Sequence, residues 1–368
     1  MSNQRLKPII NGPAKSLLNF LFLCSINVVA AGQAAPPAAP VKTPDDLISR
    51  VVSAANEKEK QKLLDENRAL LTAKLVDIVL ERANRRWDQG RYSEMFPLYD
   101  LAHRAATQIG YRQGAAHSLK GLGEYYFMSG DYRKAVEYAG QTRKLFTELG
   151  DKWGLAASLV ALGSVSHVTG DHPEAMRNYE EALKLLKEIG NRDGIAYVLN
   201  SMGDVHRLNG DHDRALDLFR QSLKVEQELG HQNKVAGILN NMGIAYKNKG
   251  QFQPAIDAYQ ESLLISSESG NKREMGGTLN NIGILLAAQG KNQEALANFQ
   301  RGLALLEEVG FKPGVADTLA SIGSLYKDEG KKEQAVEYYR KGLKLKEEMG
   351  DIKGARLLQT LIDSVGRR

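Results

Sequence analysis

Apolar residues recur at intervals of three and four along most of the chain, and the whole arrangement returns every 40 residues. The segment between Gly130 and Gly150 contains no proline, and its later equivalent NQEALANFQRGLALLEEV has the same apolar spacing. This spacing predicts an amphipathic helix of about 18 residues. The intervening segment REMGGTLNNIGILLAAQ keeps the spacing through Leu279, Ile282 and Leu286. Each unit is therefore predicted to be a pair of antiparallel helices.

Glycine marks the same period in three separate series. The series are Gly90, Gly130, Gly170, Gly210, Gly250, Gly290 and Gly330; Gly110, Gly150, Gly190, Gly230, Gly270, Gly310 and Gly350; and Gly123, Gly163, Gly203, Gly243, Gly283 and Gly323. The first two series fall between helices, where a left-handed C′ residue favours glycine. A period of this length is typical of a stacked-repeat architecture.

The third glycine series falls inside a helix, where glycine costs about 1 kcal/mol relative to alanine. This cost predicts that a facing helix approaches too closely for a Cβ atom. In the unit 111–150, Leu119, Leu122 and Tyr126 are expected to contact Val136 and Ala139 of the second helix.

The repeated pattern resembles the tetratricopeptide repeat. Its fourth, seventh, eighth, fifteenth, twentieth and twenty-fourth places are occupied in one unit by Leu279, Ile282, Gly283, Gly290, Ala295 and Phe299. Leucine replaces the usual tryptophan at the fourth place, and the unit is longer than the usual 34 residues. The longer helices resemble a subclass found in G-protein-regulator scaffolds and bacterial repeat proteins. The resemblance implies an all-α fold, an α-solenoid of stacked antiparallel helical hairpins that forms a superhelix.

The sequence divides into six predicted segments. These are a signal peptide (1–31), an Ala/Pro-rich linker (32–43), N-terminal capping helices (44–74), a degenerate first repeat (75–110), six repeats of 40 residues (111–350) and a C-terminal capping helix (351–368). Thr43, followed by Pro44 and two acidic residues, is a favourable N-cap for the first capping helix. The capping segment also resembles the leaders of bacterial repeat proteins that carry a caspase-like CHAT domain.

The first residues have the layout of a secretory signal. Arg5, Lys7 and Lys15 precede the apolar stretch Leu17–Ala31, which ends in small residues. This layout predicts cleavage after Ala31 and export to the periplasm or the medium, with an uncleaved anchor in the inner membrane as the alternative. Removal of these three cations lowers the formal net charge from +5 to +2.

Composition argues against several function classes. Acidic and basic residues are interspersed, whereas a nucleic-acid-binding protein gathers its basic residues on one face. His172 and His212 occupy equivalent repeat positions, but no cysteine or acidic cluster completes a zinc site around them. No nucleophile, base or metal set can be named, so neither enzyme activity nor a cofactor or metal is expected. No membrane contact beyond an uncleaved anchor is expected either.

The first helix of each repeat carries the candidate binding residues. In tetratricopeptide stacks the fifth, ninth and twelfth places line a concave groove, so the resemblance implies a groove formed by Lys120, Glu124, Phe127, His167, Asn200, Asp204, Arg207, Asn240, Lys247, Asn280 and Lys327. The three asparagines form a ladder whose amides could bind the backbone of an extended peptide. In the alternative, they bond to neighbouring helices. That alternative is favoured for the adjacent Asn241 and Asn281.

Three functional hypotheses follow. The first is a non-enzymatic scaffold that binds a peptide or partner protein in the groove. The second is the regulatory arm of a signalling or CHAT-type proteolytic system whose catalytic domain lies elsewhere. The third is a cytoplasmic peptide-pheromone receptor. Packing residues are shared among repeat scaffolds, so the partner itself is not encoded in them.

Overall fold

The computed structural model describes residues 40–88 and 91–366. Within these ranges the only regular secondary structure is helical, namely seventeen α-helices and one short 3-10 helix. The predicted fold class, an all-α solenoid of stacked antiparallel helical hairpins, is confirmed. The predicted signal peptide and most of the predicted linker lie outside the described residues.

The chain divides at Gly314 and Val315 into two compact units. The helices that lie wholly before this division are α1 (Pro44–Ser53), α2 (Glu57–Glu66), α3 (Ala73–Asp88), α4 (Tyr92–Gln108), α5 (Arg112–Met128), α6 (Tyr132–Leu149), α7 (Lys152–Thr169), α8 (His172–Glu188), α9 (Arg192–Leu208), α10 (His212–Leu229), α11 (Gln232–Asn248), α12 (Phe252–Glu268), α13 (Lys272–Ala288) and α14 (Asn292–Glu308). The 3-10 helix Arg68–Leu70 precedes α3. Helix α15 (Lys312–Asp328) contains the division, and α16 (Lys332–Glu348) and α17 (Ile352–Gly366) follow it.

The turns between helices follow the glycine pattern. All thirteen described glycines of the two turn series have φ between 65° and 89°. At Gly170, for example, the glycine N–H donates to the His167 carbonyl at 3.1 Å, and the following Asp171 N–H donates to the Ser166 carbonyl at 2.8 Å. The Asp171 carboxylate then accepts from the Glu174 N–H at 3.1 Å and caps α8. The predicted left-handed role of these glycines is confirmed.

The third glycine series faces the aromatic residue at the twenty-fourth place, here named the ring position. The ring positions are Tyr99, Ala139, Tyr179, Phe219, Tyr259, Phe299 and Tyr339. A Cβ atom added at Gly163 would lie 2.7 Å from the nearest ring carbon of Tyr179, and one added at Gly243 would lie 2.4 Å from that of Tyr259. Both distances are shorter than real Cβ atoms allow. A Cβ atom is therefore excluded at these glycines, as predicted, but the main obstacle is a buried ring on the facing helix and not the close approach of that helix itself.

The repeat 111–150 departs from this arrangement because its ring position is Ala139. A Cβ atom at Gly123 would meet Tyr138 Cβ at 3.3 Å and the Ala139 backbone nitrogen at 3.7 Å. Of the residues expected at this helix contact, Leu119, Leu122 and Ala139 are buried, whereas Val136 is 44% exposed and lies outside the buried core. Val136 directly follows the buried Ala135, and one residue turns the side chain about 100° around a helix.

Candidate functional site

The predicted groove residues of the unit before Gly314 lie on the first helices of successive repeats, α5, α7, α9, α11 and α13. Each of these helices contacts the next one in this series. All ten residues are half-buried, as expected for the lining of a surface groove. Lys327 lies on α15 in the second unit, where it is exposed.

The side chains of the asparagine ladder form hydrogen bonds between repeats but leave some of their polar atoms without a partner. Asn241 Nδ2 donates to Asn200 Oδ1 at 3.2 Å, and Asn281 Nδ2 donates to Asn240 Oδ1 at 2.9 Å. The sixth-place asparagines therefore join neighbouring repeats, as predicted. Within the described part of the chain, no hydrogen bond uses Nδ2 of Asn200 or Asn240, and the buried Oδ1 of Asn280 has no partner.

A charged cluster lies beside the ladder on α7, α9 and α11. His167 Nε2 lies 3.1 Å from Asp204, and Arg207 Nε donates to the same carboxylate at 2.7 Å. Burial would raise the pKa of Asp204, but the hydrogen bond from His167 and the charge of Arg207 outweigh it and lower that pKa. Burial and the charge of Arg207 lower the pKa of Lys247. No acidic group within residues 40–88 and 91–366 pairs with Lys247, so this part of the groove is basic.

Two neighbouring cavities open on the first-helix face. The first cavity, of about 380 Å³, is lined mainly by α5 and α7, and it includes the predicted residues Glu124 and Phe127. The second cavity, of about 340 Å³, includes Asn200 and Asn240. Tyr197 borders both cavities and is 50% exposed. The face therefore combines a mostly apolar depression with a polar one.

Sequence reasoning missed part of the first cavity. Met128 and Tyr197 line it but do not occupy the fifth, ninth or twelfth place of a repeat, and Trp87, at the twelfth place of the degenerate first repeat, was not among the predicted residues. Met128 and Tyr197 are about half exposed despite their apolar bulk, and their large side chains at the helix surface were the available signal. Two of the predicted residues form an ion pair, since Lys120 Nζ lies 2.7 Å from Glu124 Oε1.

No group of three or more possible metal ligands in the described part of the chain includes His172 or His212. The His172 ring lies 6.0 Å from the His167 ring, and its Nδ1 contacts the Asn209 side chain. A different group, Asp193, Glu226 and His231, places its donor atoms within 4.8 Å of one another.

An ammonium group already occupies this acidic cluster. Lys234 Nζ lies 3.2 Å from Asp193 Oδ1 and 3.3 Å from Glu226 Oε1. His231 Nδ1 lies 2.7 Å from the buried Glu226 carboxylate. An ion-pair network accounts for the arrangement, because the buried carboxylate is paired and hydrogen-bonded.

The sequence matches the family model of the tetratricopeptide repeat over residues 78–148, 154–228, 194–268, 234–308 and 274–348. The chain belongs to this family. No curated protein matches the sequence significantly. None of the helices in the described ranges is long and apolar enough to cross a membrane.

Several solved structures are similar. A Rap protein complexed with competence and sporulation factor is 16% identical, with a TM-score of 0.63 over 84% of this chain and 88% of that one. The Rap conjugation gene regulator of plasmid pLS20, in complex with the Phr* peptide, is 17% identical, with a TM-score of 0.59 over 86% and 99%. Aspartyl phosphate phosphatase F from Bacillus subtilis is 16% identical, with a TM-score of 0.54 over 79% of each chain. At these identities the similarity shows the fold alone.

Proposed function

We propose that this chain is a non-enzymatic scaffold that binds an extended peptide, or such a segment of a partner protein, on its first-helix face. The observation that carries the proposal is the pair of neighbouring cavities bordered by Tyr197. One cavity offers apolar area, and the other offers amide donors without partners at Asn200 and Asn240. Together they match what an extended peptide presents, namely side chains and backbone carbonyls.

The two kinds of contact have separate roles. The Nδ2 groups of Asn200 and Asn240 donate to peptide carbonyls, so they hold the backbone whatever its side chains are. The apolar cavity selects a side chain and contributes most of the affinity by burial. The basic segment at Arg207 and Lys247 favours a peptide with acidic character. The complex of the pLS20 Rap regulator with the Phr* peptide supports the same use of this fold.

The proposal is tested with a displayed library of random 12-residue peptides selected on the full chain. Enriched peptides are then measured by fluorescence polarisation against two paired variants. Asn200→Asp/Asn240→Asp keeps the acceptor for the neighbouring asparagine but removes both open donors, and it should weaken binding about tenfold. Asn241→Ala/Asn281→Ala removes the inter-repeat bonds and keeps the donors, so affinity should change little. Failure to enrich any peptide, or equal binding by the Asp variant, contradicts the proposal.

We also propose that the scaffold acts after export, with residues 1–31 removed as a signal. A cytoplasmic peptide receptor is the second candidate, and the similarity to Rap structures favours it. Mass spectrometry of the protein from its own host separates the two. A mature N-terminus at Gly32 supports export, whereas retention of Met1 in the soluble fraction supports the cytoplasmic receptor.

A further inference from the structure

The first cavity coincides with the one repeat whose ring position is alanine. In the six other repeats an aromatic side chain occupies that position, and each of the six is at most 3% exposed. Ala139 is buried as well, at 4% exposure, but it has no ring. The repeat 111–150 therefore lacks the largest apolar group that the other repeats place between their helices.

The neighbours of Tyr179 show where the missing ring belongs. The Tyr179 ring lies over Gly163, and its hydroxyl donates to Ser164 Oγ at 3.2 Å. In the following repeat it interacts with the Ser201 hydroxyl and electrostatically with Tyr197 and Asp204. Subtracting one 40-residue period from these five neighbours gives Gly123, Glu124, Ala157, Ala161 and Ser164, and all five line the first cavity. The cavity thus occupies the place of the missing ring.

The cavity also has a polar group that can accept a hydrogen bond from a tyrosine hydroxyl. The ring position is tyrosine in four repeats, and in three of them its hydroxyl reaches the ninth place of the same repeat. In the fourth the ninth place is Ile244, and the buried Tyr259 hydroxyl has no partner within the described residues. Tyr99 donates to Asn84 at 2.6 Å, and the Tyr339 hydroxyl lies 3.0 Å from Ser324. The ninth place of the repeat 111–150 is Glu124, whose side chain is 32% exposed and accepts from Lys120 at 2.7 Å. A carboxylate there can accept a further hydrogen bond from a phenol.

We propose that the first cavity is a tyrosine subsite, in which a tyrosine of the bound peptide supplies the ring that Ala139 lacks and donates its hydroxyl to Glu124. This inference rests on the proposed function and adds the identity of the anchoring side chain. Burial of an aromatic ring provides affinity, and the acceptor at Glu124 ranks tyrosine above phenylalanine and leucine.

The test fills the cavity from the protein's own side. Ala139→Tyr adds the ring found in the other repeats, and Gln141→Tyr adds the same ring to an exposed position of α6 as the matched control. The probe is N-acetyl-L-tyrosinamide, observed through the methyl signal of labelled Met128, which lines the cavity. Saturable shifts are expected for the wild type and for Gln141→Tyr, and their loss is expected for Ala139→Tyr. N-acetyl-L-leucinamide should bind at least several-fold more weakly.

The peptides selected on the full chain provide the second arm. A Tyr→Ala change in a selected peptide should weaken binding at least tenfold to the wild type, and by less than twofold to Ala139→Tyr. Should Ala139→Tyr fail to fold by circular dichroism, Ala161→Leu fills the same cavity from α7. Peptides that bind and depend on Asn200 and Asn240 but show no tyrosine preference overturn the subsite and leave the proposed function standing. Absence of any peptide binding overturns both.

Discussion

Replacement of Gly243 by alanine tests why the third glycine series exists. Alanine improves helix propensity by about 1 kcal/mol at any interior helix position. At Gly243, however, the new Cβ would lie 2.4 and 2.5 Å from Cε1 and Cδ1 of Tyr259, whose side chain is fully buried. The ring has no solvent to move into, so overpacking should cost about 1–3 kcal/mol. The net expectation is a destabilisation of up to about 2 kcal/mol.

Gly237 on the same helix provides the matched control. A Cβ added there meets no atom within 4 Å, so Gly237→Ala should stabilise the protein by up to about 1 kcal/mol. The propensity gain is common to both variants. The difference between them therefore isolates the overpacking cost of about 1–3 kcal/mol.

The measurement has to be local, because long repeat arrays depart from two-state unfolding. Hydrogen exchange of the α11 and α12 amides, supported by urea titration, gives the opening free energy of this hairpin. Tyr259→Leu in the Gly243→Ala background should recover part of the loss. If Gly243→Ala and Gly237→Ala shift the opening free energy equally, contact with the ring is not the reason for glycine at Gly243.

Three further predictions follow from the same contacts. Asp204→Asn should reduce the free energy of unfolding at neutral pH and change it little once the pH is well below 3.8, the ordinary pKa of the carboxyl. A lowered pKa in the folded state gives stability that is lost as the pH falls through the folded value. Urea titrations at both pH values check this, and equal losses contradict it. The Lys152–Glu188 ion pair should contribute less than about 1 kcal/mol to stability in a double-mutant cycle. The two groups are 2.9 Å apart, but their side chains are 57% and 40% exposed to solvent. A larger coupling energy contradicts this exposure. Gly170→Ala should destabilise the α7–α8 hairpin by about 1 kcal/mol, because the residue has a φ of +89°. Hydrogen exchange measures this, and an unchanged opening free energy contradicts a left-handed requirement at Gly170.

The fold could be predicted because it depends on local signals. Apolar spacing defines each helix, and glycine at a left-handed C′ position defines each turn, so both are visible within one 40-residue unit. The exposure of Val136 was missed because side-chain direction on a short amphipathic segment depends on which face the neighbouring repeat covers. The predicted groove residues lie on the first helices because the repeat register assigns equivalent positions to equivalent helices.

The site was less predictable because its decisive contacts join different repeats. Asn241 and Asn200 are 41 residues apart, and only the stacked structure shows that their bond uses the carbonyl of one amide and leaves its Nδ2 open. The first cavity depends on the absence of an aromatic ring at Ala139. Ala139 looks ordinary as a residue and becomes informative only when all seven ring positions are compared.

The last repeat shows that the missing ring is not a steric requirement of the fold. In the second unit, Tyr338 and Tyr326 are paired at 5.4 Å between centroids, and the buried Tyr339 ring lies over Gly323. The repeat 111–150 has the equivalent pair, Tyr138 and Tyr126, stacked at 5.3 Å. The pair and the ring therefore coexist where both are present, so Tyr138 does not account for Ala139. Burial of a ring at Ala139 would contribute about 1.5–3 kcal/mol that the chain forgoes. Stability forgone at a preformed cavity is the usual cost of a binding site.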